Sequence, residues 1–331
     1  MRVAVTGGTG VVGAPVLRRL VEDGHQVRAL ARSDTAQQAV AAVGAAPVAG
    51  HILDTGALGR LVAGCDWVFH VAGVNELCPA DPAGMWTVNV NGTQAIVDAC
   101  ARAGVGRLVH TSSAATVGER RGETGDEATV HRGWFLSEYE RSKHRAEQVV
   151  LGAPSHLDVV VVNPSSVQGP GRATGTGRLF LAAARGRLRA AIDTYFSIVD
   201  SRDCVRGHVL AAERGRTGER YLLSGATLRM REALHLLGEV TGAEPRVWMM
   251  PPVLLSGLAI LVEGVCRIAG RRPPLCRETA RVLGFGHRYD GSRAARELGL
   301  RYTPVEETLA RTVLWFEEEG LLGGRKGTKS V

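Results

Sequence analysis

A glycine loop between a short apolar run and a helical pattern constrains the fold of this 331-residue chain most strongly. The run Val3–Val5 leads into the loop, and an amphipathic helical pattern follows it and stops at Gly24. Glycines at intervals of three permit a tight turn, a close approach of backbone to a pyrophosphate, and close packing of helix against strand. Together with a second strand pattern over Gln26–Ala31, this order predicts a dinucleotide-binding unit. The expected cofactor contacts in the loop are Thr6, Gly7, Thr9, Gly10, Val11, Val12 and Gly13.

Strand and helix patterns continue to alternate through the first half of the chain. Short apolar runs recur at 46–49, 67–71 and 107–110, with helical segments between them. Such an order predicts an α/β fold with a doubly wound parallel sheet of Rossmann type and a smaller, mostly helical C-terminal lobe. We expect an NAD(P)-binding domain over 1–168, to which 195–225 returns, a substrate lobe over 169–194 and 226–322, and a disordered tail over 323–331.

The end of the second strand indicates which dinucleotide binds. A carboxylate at this place bonds the ribose diol of NAD, whereas an arginine meets the 2′-phosphate of NADP. Ala31 stands where the acid usually falls, and Arg32 and Ser33 follow it directly. The sequence therefore favours NADP, and Asp34 keeps NAD open as the alternative.

A tyrosine and a lysine four residues apart, Tyr139 and Lys143, lie in a segment with a helical pattern. That spacing puts both side chains on one face of a helix. A phenol has a reference pKa near 10, and a neighbouring ammonium stabilises the phenolate, so the pair is a candidate general acid and base. Only three of the 40 basic residues are lysine, and the other two, Lys326 and Lys329, fall in the polar tail. The alternative is a single lysine on a solvated helix face.

Small and polar residues follow the fourth and fifth strand patterns. Parallel strands deliver such residues to the carboxyl edge of the sheet, where ligands bind. After the fourth strand, small side chains would let the adenine-ribose half of a cofactor lie close, and after the fifth, Ser113 is a candidate to hydrogen-bond the reacting oxygen. The residues concerned are Val71 as the last residue of the fourth strand with Ala72 and Gly73 after it, and Thr111, Ser112 and Ser113 after the fifth.

A helix is expected over about 83–102, and it contains Asn89 and Asn91. Asparagine is unfavourable inside a helix unless its side chain finds a hydrogen-bond partner. We therefore expect one of the two to bond backbone across the sheet.

Together these motifs resemble the extended short-chain dehydrogenases/reductases, the NAD(P)-dependent epimerase/dehydratase superfamily, over the first half of the chain. The resemblance is closest to the branch of dihydroflavonol 4-reductases, 3β-hydroxysteroid dehydrogenases and hopanoid-associated sugar epimerases. It is carried by the glycine loop, Asn89–Thr93, Ser113, Tyr139 with Lys143, the run Asn163–Pro170 and the later segment Arg202–His208.

The resemblance implies Tyr139 as the acid/base, Lys143 as its pKa partner and ribose anchor, and Ser113 as the hydroxyl that orients the carbonyl. One position departs from the family pattern, because His51 stands where an aspartate usually contacts adenine. Adenine contacts are therefore expected at His51 or at the Ile52 backbone. Further cofactor contacts are implied at Thr111, Ser112, Asn163, Pro164 and Ser166.

Composition limits the other classes of function. The net charge of +7 comes from scattered arginines with only 5% aromatic residues, which is not the pattern of a nucleic-acid-binding face. The six cysteines show no Cys-x-x-Cys spacing, so we expect buried thiols in a reducing compartment, without a metal site or disulfides. A strand at the N-terminus leaves no room for a signal peptide. The expectation is a cytoplasmic protein with a small-molecule substrate, no metal and no nucleic-acid partner, with a homodimer left open.

Three features of the sequence bear on the substrate. Arginines at 172, 178, 185, 187 and 189 suit a diphosphate, or form a solvated basic face. The apolar stretch 251–268 is interrupted by charges and predicts a core helix, with a substrate lid or a membrane-surface helix as alternatives to it. Trp86, Trp134 and Phe135 bracket the catalytic candidates and are expected to form an aromatic wall.

The leading hypothesis is an NADP-dependent oxidoreductase that interconverts a ketone and a secondary alcohol on a small apolar or glycosyl-like substrate. The alternative is a nucleotide-sugar epimerase or dehydratase with tightly bound NAD. A third hypothesis, a non-catalytic dinucleotide-binding regulator, does not explain why Ser113, Tyr139 and Lys143 are all present.

Overall fold

The computed structural model describes residues 1–269, 271, 273 and 275–322, so the predicted tail 323–331 lies outside the described residues. The chain divides into two compact units. The first unit comprises Met1–Ser165, Arg202–Leu223 and Tyr289–Arg301, and the second comprises Ser166–Ser201, Ser224–Arg288 and the residues from Tyr302 onward.

Helices and strands alternate along the first half of the chain. The elements are β1 (Arg2–Thr6), α1 (Gly13–Glu22), β2 (Gln26–Ala31), α2 (Asp34–Ala42), β3 (Ala46–Ala49), α3 (Thr55–Val62), β4 (Trp67–His70), α4 (Pro82–Trp86), α5 (Gly92–Ala103), β5 (Arg107–Thr111), α6 (Glu138–Leu151) and β6 (Asp158–Pro164). A π-helical turn, Thr87–Asn91, joins α4 to α5, and a 3₁₀ turn, Ala114–Val117, follows β5.

The second half of the chain contains shorter strands and more helix. Its elements are β7 (Ser166–Gln168), α7 (Thr176–Ala184), β8 (Ala190–Ile192), β9 (Tyr195–Asp200), α8 (Ser201–Arg214), β10 (Arg220–Leu223), β11 (Ala226–Arg229), α9 (Met230–Thr241), β12 (Trp248–Met250), α10 (Pro252–Ile268), α11 (Arg277–Phe285) and α12 (Val305–Glu318). A π-helical turn, Ala294–Leu298, precedes α12.

Among the described residues, seven strands of the first unit form one sheet in the order β10-β6-β5-β4-β1-β2-β3. All six strand pairs are parallel. The central strands are buried, as Val5, Phe69 and Val109 illustrate, because helices cover both faces of such a sheet. The prediction of a doubly wound parallel sheet is confirmed. Strand order reverses at β1, and ligands of such sheets bind outside the carboxyl ends of the strands at that point.

The single helix expected over about 83–102 is divided into α4, the π-helical turn and α5. Within the turn, Asn89 Oδ1 accepts a hydrogen bond from the Val74 backbone N at 2.7 Å, and Nδ2 donates to Val74 O at 3.0 Å. One asparagine therefore bonds backbone as predicted, but its partner Val74 lies in the loop after β4 and not across the sheet. A π-helical turn carries one residue more than an α-helical turn, and such turns occur often at functional sites.

One strand lies in a different sheet from the one expected. Tyr195–Val199 was expected in the main sheet with Tyr221–Leu223, but β9 pairs with β7 and β11 in a three-stranded sheet of the second unit. Only β10 joins the main sheet, where it occupies the edge of β6. Because β10 takes that edge, β9 pairs elsewhere. A cluster that includes Phe180, Leu234 and Phe316 forms the core of the second unit.

Three of the six cysteines are buried thiols, as expected. Cys65, Cys100 and Cys204 are free and buried, and burial raises the pKa of the Cys100 thiol to about 12. The expectation is wrong for Cys78 and Cys276, which are disulfide-bonded. Disulfide formation depends on proximity in space, which spacing along the sequence does not reveal. No helix in the described part of the chain combines the length and the apolar character needed to cross a bilayer.

Candidate active site

The glycine loop between β1 and α1 forms a cradle whose shape depends on missing side chains. Gly7 has φ +74°, and a Cβ there would lie 2.6 Å from the Ala72 backbone N. A Cβ on Gly13 would lie 2.0 Å from Gly7 O. Both glycines are therefore required by the fold itself. Gly10 differs, because a Cβ there would meet only Gly7 O, at 3.3 Å. Gly10 is exposed, which suits the close approach of a pyrophosphate.

The start of α1 can offer only its leading backbone N–H groups to an anion, because Ala14 N donates to Gly10 O at 2.9 Å and Pro15 has no N–H. Val12, the residue before the helix, makes no side-chain capping hydrogen bond, and the first turn contains no acidic residue. Thr9, Gly10 and Val11 are exposed. The amides that precede Ala14 and the positive end of the helix dipole fit the diphosphate of a dinucleotide.

Thr6 contributes to the base of this loop in a different way. Its hydroxyl accepts a hydrogen bond from the Ala72 backbone N at 3.3 Å and bonds His70 Nδ1 at 2.7 Å. The Thr6 side chain is buried. It therefore fastens the end of β1 to the end of β4, the two strands that flank the expected cofactor position.

At the end of β2, Arg32 is exposed and follows the last strand residue. Ser33 caps α2, its Oγ accepting a hydrogen bond from the Ala36 backbone N at 3.2 Å. Asp34 begins α2 and accepts a bond from Gln37 Nε2 at 3.3 Å. The exposed guanidinium of Arg32 therefore follows the strand end where the 2′-phosphate of NADP is expected.

After β3, His51 is exposed and its Nδ1 accepts a hydrogen bond from the Leu53 backbone N at 3.1 Å. Ile52 is buried, and a Cβ on Gly92 would lie 2.9 Å from its side chain. Ile52 therefore packs on the start of α5, and His51 is the more exposed of the two residues expected near adenine.

Helix α6 presents Tyr139 and Lys143 one turn apart. Tyr139 is half-buried, whereas Lys143 is buried and its Nζ donates a hydrogen bond to Thr111 O at 2.7 Å. Burial lowers the pKa of Lys143 to about 8, although the negative charge of Glu147 raises it. A Cβ on Gly73 would lie 3.7 Å from Lys143 Nζ, so the end of β4 comes close to this ammonium. The alternative of a solvated lysine is excluded.

Ser113 follows β5 and begins the 3₁₀ turn, with its Oγ accepting a hydrogen bond from the Ala115 backbone N at 3.3 Å. Its carbonyl oxygen accepts bonds from Thr116 Oγ1 at 2.8 Å and Asn163 Nδ2 at 3.2 Å. The backbone of Ser113 is thereby fixed, and its hydroxyl remains half-buried at the carboxyl edge of the sheet.

A buried carboxylate that the sequence reasoning missed joins these parts. Glu147 Oε2 accepts hydrogen bonds from Ser112 Oγ at 2.6 Å, Thr116 Oγ1 at 2.7 Å and Asn163 Nδ2 at 2.7 Å. Arg220 Nη1 donates to Glu147 Oε1 at 3.2 Å. The side chains of Ser112 and Asn163, both expected at the cofactor, are thus hydrogen-bonded to Glu147. The sequence signal for Glu147 was its spacing of four residues from Lys143, which puts both side chains on one face of α6.

The other two residues expected after β6 are placed differently. Pro164 ends β6 in the main sheet and pairs with Leu223 of β10. Ser166 belongs to the second unit, where its Oγ donates to Thr176 Oγ1 at 3.1 Å.

Three buried histidines lie in the same unit and were also missed. His70 and His110 are neighbours in register on β4 and β5, with ring centroids 5.1 Å apart. His208 Nε2 bonds Thr111 Oγ1 at 2.9 Å. Burial lowers the pKa of His70 to about 3 and of His208 to about 4, and that of His110 well below its ordinary value. All three rings are therefore neutral at pH 7, which leaves Lys143 as the cation at the end of β5.

A buried ion pair fixes the start of α6 next to Tyr139. Arg132 Nη2 contacts Glu140 Oε1, and both side chains are almost completely buried. Glu140 Oε2 also accepts a hydrogen bond from the Leu136 backbone N at 2.7 Å, and Ser137 caps the helix. The first turn of α6 is thereby held to the loop that precedes it.

Basic side chains lie against the rings of the three aromatic residues expected near the substrate. The Arg132 guanidinium lies 4.8 Å from the centre of the exposed Trp134 ring, and that of Arg141 lies 5.4 Å from the Trp86 ring. The Phe135 ring lies 4.9 Å from the His131 ring.

Comparison with known proteins agrees with this geometry. Residues 3–224 match the NAD dependent epimerase/dehydratase family. The chain is 35% identical to sterol demethylase protein B of Methylococcus capsulatus, covering 97% of this chain and 100% of that protein. It is 35% identical to a putative dihydroflavonol 4-reductase of Synechocystis, with coverages of 96% and 94%. The crystal structure of gox2253 superposes with a TM-score of 0.84 at 33% identity, covering 96% of this chain and 98% of that one. The chain therefore belongs to the NAD dependent epimerase/dehydratase family of extended short-chain dehydrogenases/reductases, and is an NAD(P)-dependent oxidoreductase or epimerase.

Proposed function

We propose that this protein is an NADP-dependent oxidoreductase that interconverts a ketone and a secondary alcohol on a small apolar substrate. The observation that carries the proposal is the buried Lys143 ammonium, which bonds Thr111 O at 2.7 Å one helical turn from Tyr139. An ammonium in this position stabilises the phenolate of a neighbouring tyrosine and so promotes proton transfer.

The nicotinamide cofactor, when bound, supplies or accepts the hydride. In the reductive direction Tyr139 Oη donates its proton to the carbonyl oxygen of the substrate, and in the oxidative direction it takes the proton back. Ser113 Oγ donates a hydrogen bond to the same oxygen and steadies its developing negative charge. Removing one such donor typically costs about 2.7–4 kcal/mol of barrier, a factor of roughly 10²–10³ in rate.

The choice of NADP rests on the end of β2. Arg32 is exposed there, no acidic residue ends the strand, and Asp34 lies at the start of α2. An arginine bonds a phosphate through two parallel N–H groups, and such charge-assisted bonds are about twice as strong as neutral ones. Arg32 is therefore the proposed ligand of the 2′-phosphate.

The choice of an apolar substrate rests on the relatives and on three aromatic residues. The two curated relatives are named for a sterol and for a dihydroflavonol, both multi-ring molecules with a large apolar surface. Three aromatic residues lie near the catalytic candidates in the chain: Trp86 before Ser113, and Trp134 and Phe135 just before Tyr139. Flat rings of this kind suit a multi-ring substrate.

The experiment that tests this function replaces Tyr139 by phenylalanine. Tyr139→Phe should lower kcat at least 10³-fold, because it removes the proton donor, and should leave the Kd for NADPH within twofold. Tyr195→Phe is the matched control, since Tyr195 lies in the second unit with its ring against Arg288. Full activity of Tyr139→Phe would rule out the assigned role, and loss of NADPH binding would show that the variant is misfolded.

A nucleotide-sugar epimerase or dehydratase with bound NAD is the second candidate. It is favoured by the name of the family and by a cavity of about 370 Å³ in the second unit, lined in part by Arg178, Arg185 and Arg187, where guanidinium groups suit a diphosphate. Such an enzyme oxidises and reduces its substrate within one cycle, so it retains NAD through purification and consumes no NADPH. Mass spectrometry of the purified protein distinguishes the two: retained NAD indicates an epimerase, and an empty protein that binds NADPH indicates a reductase. A non-catalytic regulator would bind the cofactor without converting any substrate.

A further inference from the structure

Helix α10 of the second unit exposes an unusual amount of apolar surface. The exposed fractions are 80% for Val253, 64% for Leu261 and 90% for Ile268. Four more aliphatic residues of the helix are exposed, namely Leu254, Leu258, Ile260 and Val265. Isolated exposed aliphatic residues are ordinary, but a contiguous patch marks a site of interaction.

These seven residues share one side of the helix. At 100° per residue they span an arc of about 160°, and the remaining positions of the arc are Gly257 and Gly264. The opposite side carries Leu255 and Ala259, which are buried in a cluster with Ala280 of α11. The helix therefore holds to its unit by a narrow stripe and presents a wide, uncharged face, which we call the α10 face, to its surroundings.

The charged residues of α10 fall outside the arc of the α10 face, and more arginines follow in the chain. Between 252 and 285 the chain has arginines at 267, 271, 272, 277 and 281 and glutamates at 263 and 278, a net charge of 5 − 2 = +3. Glu263 is engaged, since its Oε2 accepts a hydrogen bond from the Arg277 backbone N at 3.1 Å. Arg271 and Arg281 are exposed. An apolar face beside an excess of arginine is complementary to an anionic lipid surface.

A tryptophan lies just before the helix. Trp248, in β12, is exposed to 57%. Tryptophan is enriched at the boundary between acyl chains and headgroups, where its ring is apolar and its N–H is solvated. The order of tryptophan, aliphatic helix and arginine is that of an interfacial helix.

Pairing of two copies through the α10 face is the less favourable alternative. A helix of 17 residues is about 25 Å long and about 10 Å wide, so a contact along its length covers about 250 Å² per partner. Stable interfaces bury about 800 Å² per partner. Two copies would also bring their arginines together, and like charges oppose such pairing.

We propose that α10 binds along the surface of an anionic phospholipid bilayer, with the α10 face in the acyl boundary and the exposed Arg271 and Arg281 among the headgroups. α10 belongs to the second unit, whereas the residues of the proposed reaction, Ser113, Tyr139 and Lys143, belong to the first. It would bring the protein to apolar substrates dissolved in the membrane.

The test uses the full-length protein and sedimentation with vesicles of phosphatidylcholine alone or with a quarter phosphatidylserine. The native protein should sediment with the anionic vesicles at least tenfold more strongly than with the zwitterionic ones. Leu261→Gln/Val265→Gln should lower the partition coefficient at least tenfold. Val130→Gln, which changes an 87% exposed valine of the first unit, is the matched control and should bind as the native protein does.

Three results would overturn the proposal. One is equal sedimentation of the native protein with and without vesicles. Another is a dimer, seen by analytical ultracentrifugation, that the double variant dissociates, because this would identify a second copy as the occupant of the α10 face. The third is a raised KM of the double variant with unchanged vesicle binding, which would identify the helix as a cover over bound substrate.

Discussion

Replacing Glu147 by glutamine separates two effects of this carboxylate, its hydrogen bonds and its charge. Three donors, Ser112, Thr116 and Asn163, converge on Oε2, so the amide oxygen of a glutamine must take that place. The amide NH₂ then faces Arg220, which is itself a donor. Glu147→Gln therefore keeps the neutral contacts, loses the ion pair, and removes the negative charge one turn from Lys143.

The magnitude follows from the helix geometry. Four residues of α-helix rise about 6 Å, and opposite charges at that separation attract with about 2.8 kcal/mol at an effective dielectric constant of about 20. This corresponds to roughly one to two pKa units after partial screening. The pKa of Lys143 should therefore fall from about 8 to between about 6 and about 7. At pH 8 the charged fraction of Lys143 drops from about half to a tenth or less, and activity at that pH drops roughly five- to fiftyfold.

The assay is the pH profile of kcat/KM, whose limbs report the ionisations of the free enzyme. The alkaline limb of Glu147→Gln should move to lower pH by roughly one to two units, with activity near pH 6 reduced much less than at pH 8. The free energy of unfolding should fall by about 2–3 kcal/mol, at or just below the usual cost of breaking a buried pair, because Arg220 still donates to Glu127 O.

Thr116→Val is the matched control for lost stability. It removes hydrogen bonds to Ser113 O and to Glu147 but keeps the carboxylate, so the unfolding free energy should fall by about 1–2 kcal/mol with the alkaline limb unmoved. If the limb of Glu147→Gln stays at the native pH and activity is lost evenly at all pH values, the carboxylate acts through structure alone and the electrostatic reasoning is wrong.

Two further predictions concern the cofactor and acid stability. Arg32→Glu should raise the Kd for NADPH about 10–100-fold, because a phosphate ligand becomes a repelling charge, and should leave the Kd for NADH within threefold; fluorescence titration showing equal changes would refute the role of Arg32. His70 and His208 have pKa values of about 3 and about 4, below the ordinary 6.5, so the unfolded chain binds more protons and stability falls as pH drops below 6.5. At pH 5 the loss is about 2 kcal/mol for each, and identical urea midpoints at pH 7 and pH 5 would contradict it.

Features that depend on neighbouring residues in the chain were predictable from the sequence. The loop from Gly7 to Gly13 needs glycine because β1 and α1 meet there, and the strand patterns that make up the main sheet are mostly apolar. The single lysine of the chain body stood out by composition, and its burial agrees with a functional position.

Features that depend on contacts across the fold were not predictable. Glu147 looks like an ordinary polar residue of an amphipathic helix, because its partners come from three separate elements. The histidines show no spacing pattern, since the register of β4 with β5 is what brings His70 and His110 together. β9 was assigned to the wrong sheet, because neither strand sequence shows that β10 and not β9 pairs with β6.

The decreasing exposure along α6 has a consequence for how ionic strength acts on this protein. Tyr139 is half-buried, Lys143 is 5% exposed and Glu147 is fully buried, so the charges that govern proton transfer lie where mobile ions do not reach. Salt screens exposed charges within about 8–10 Å under ordinary conditions but affects buried pairs much less. Arg32, by contrast, is exposed at the end of β2. Added salt should therefore weaken cofactor affinity while the rate of the chemical step stays nearly constant, so that the two halves of one site respond differently to the same solvent.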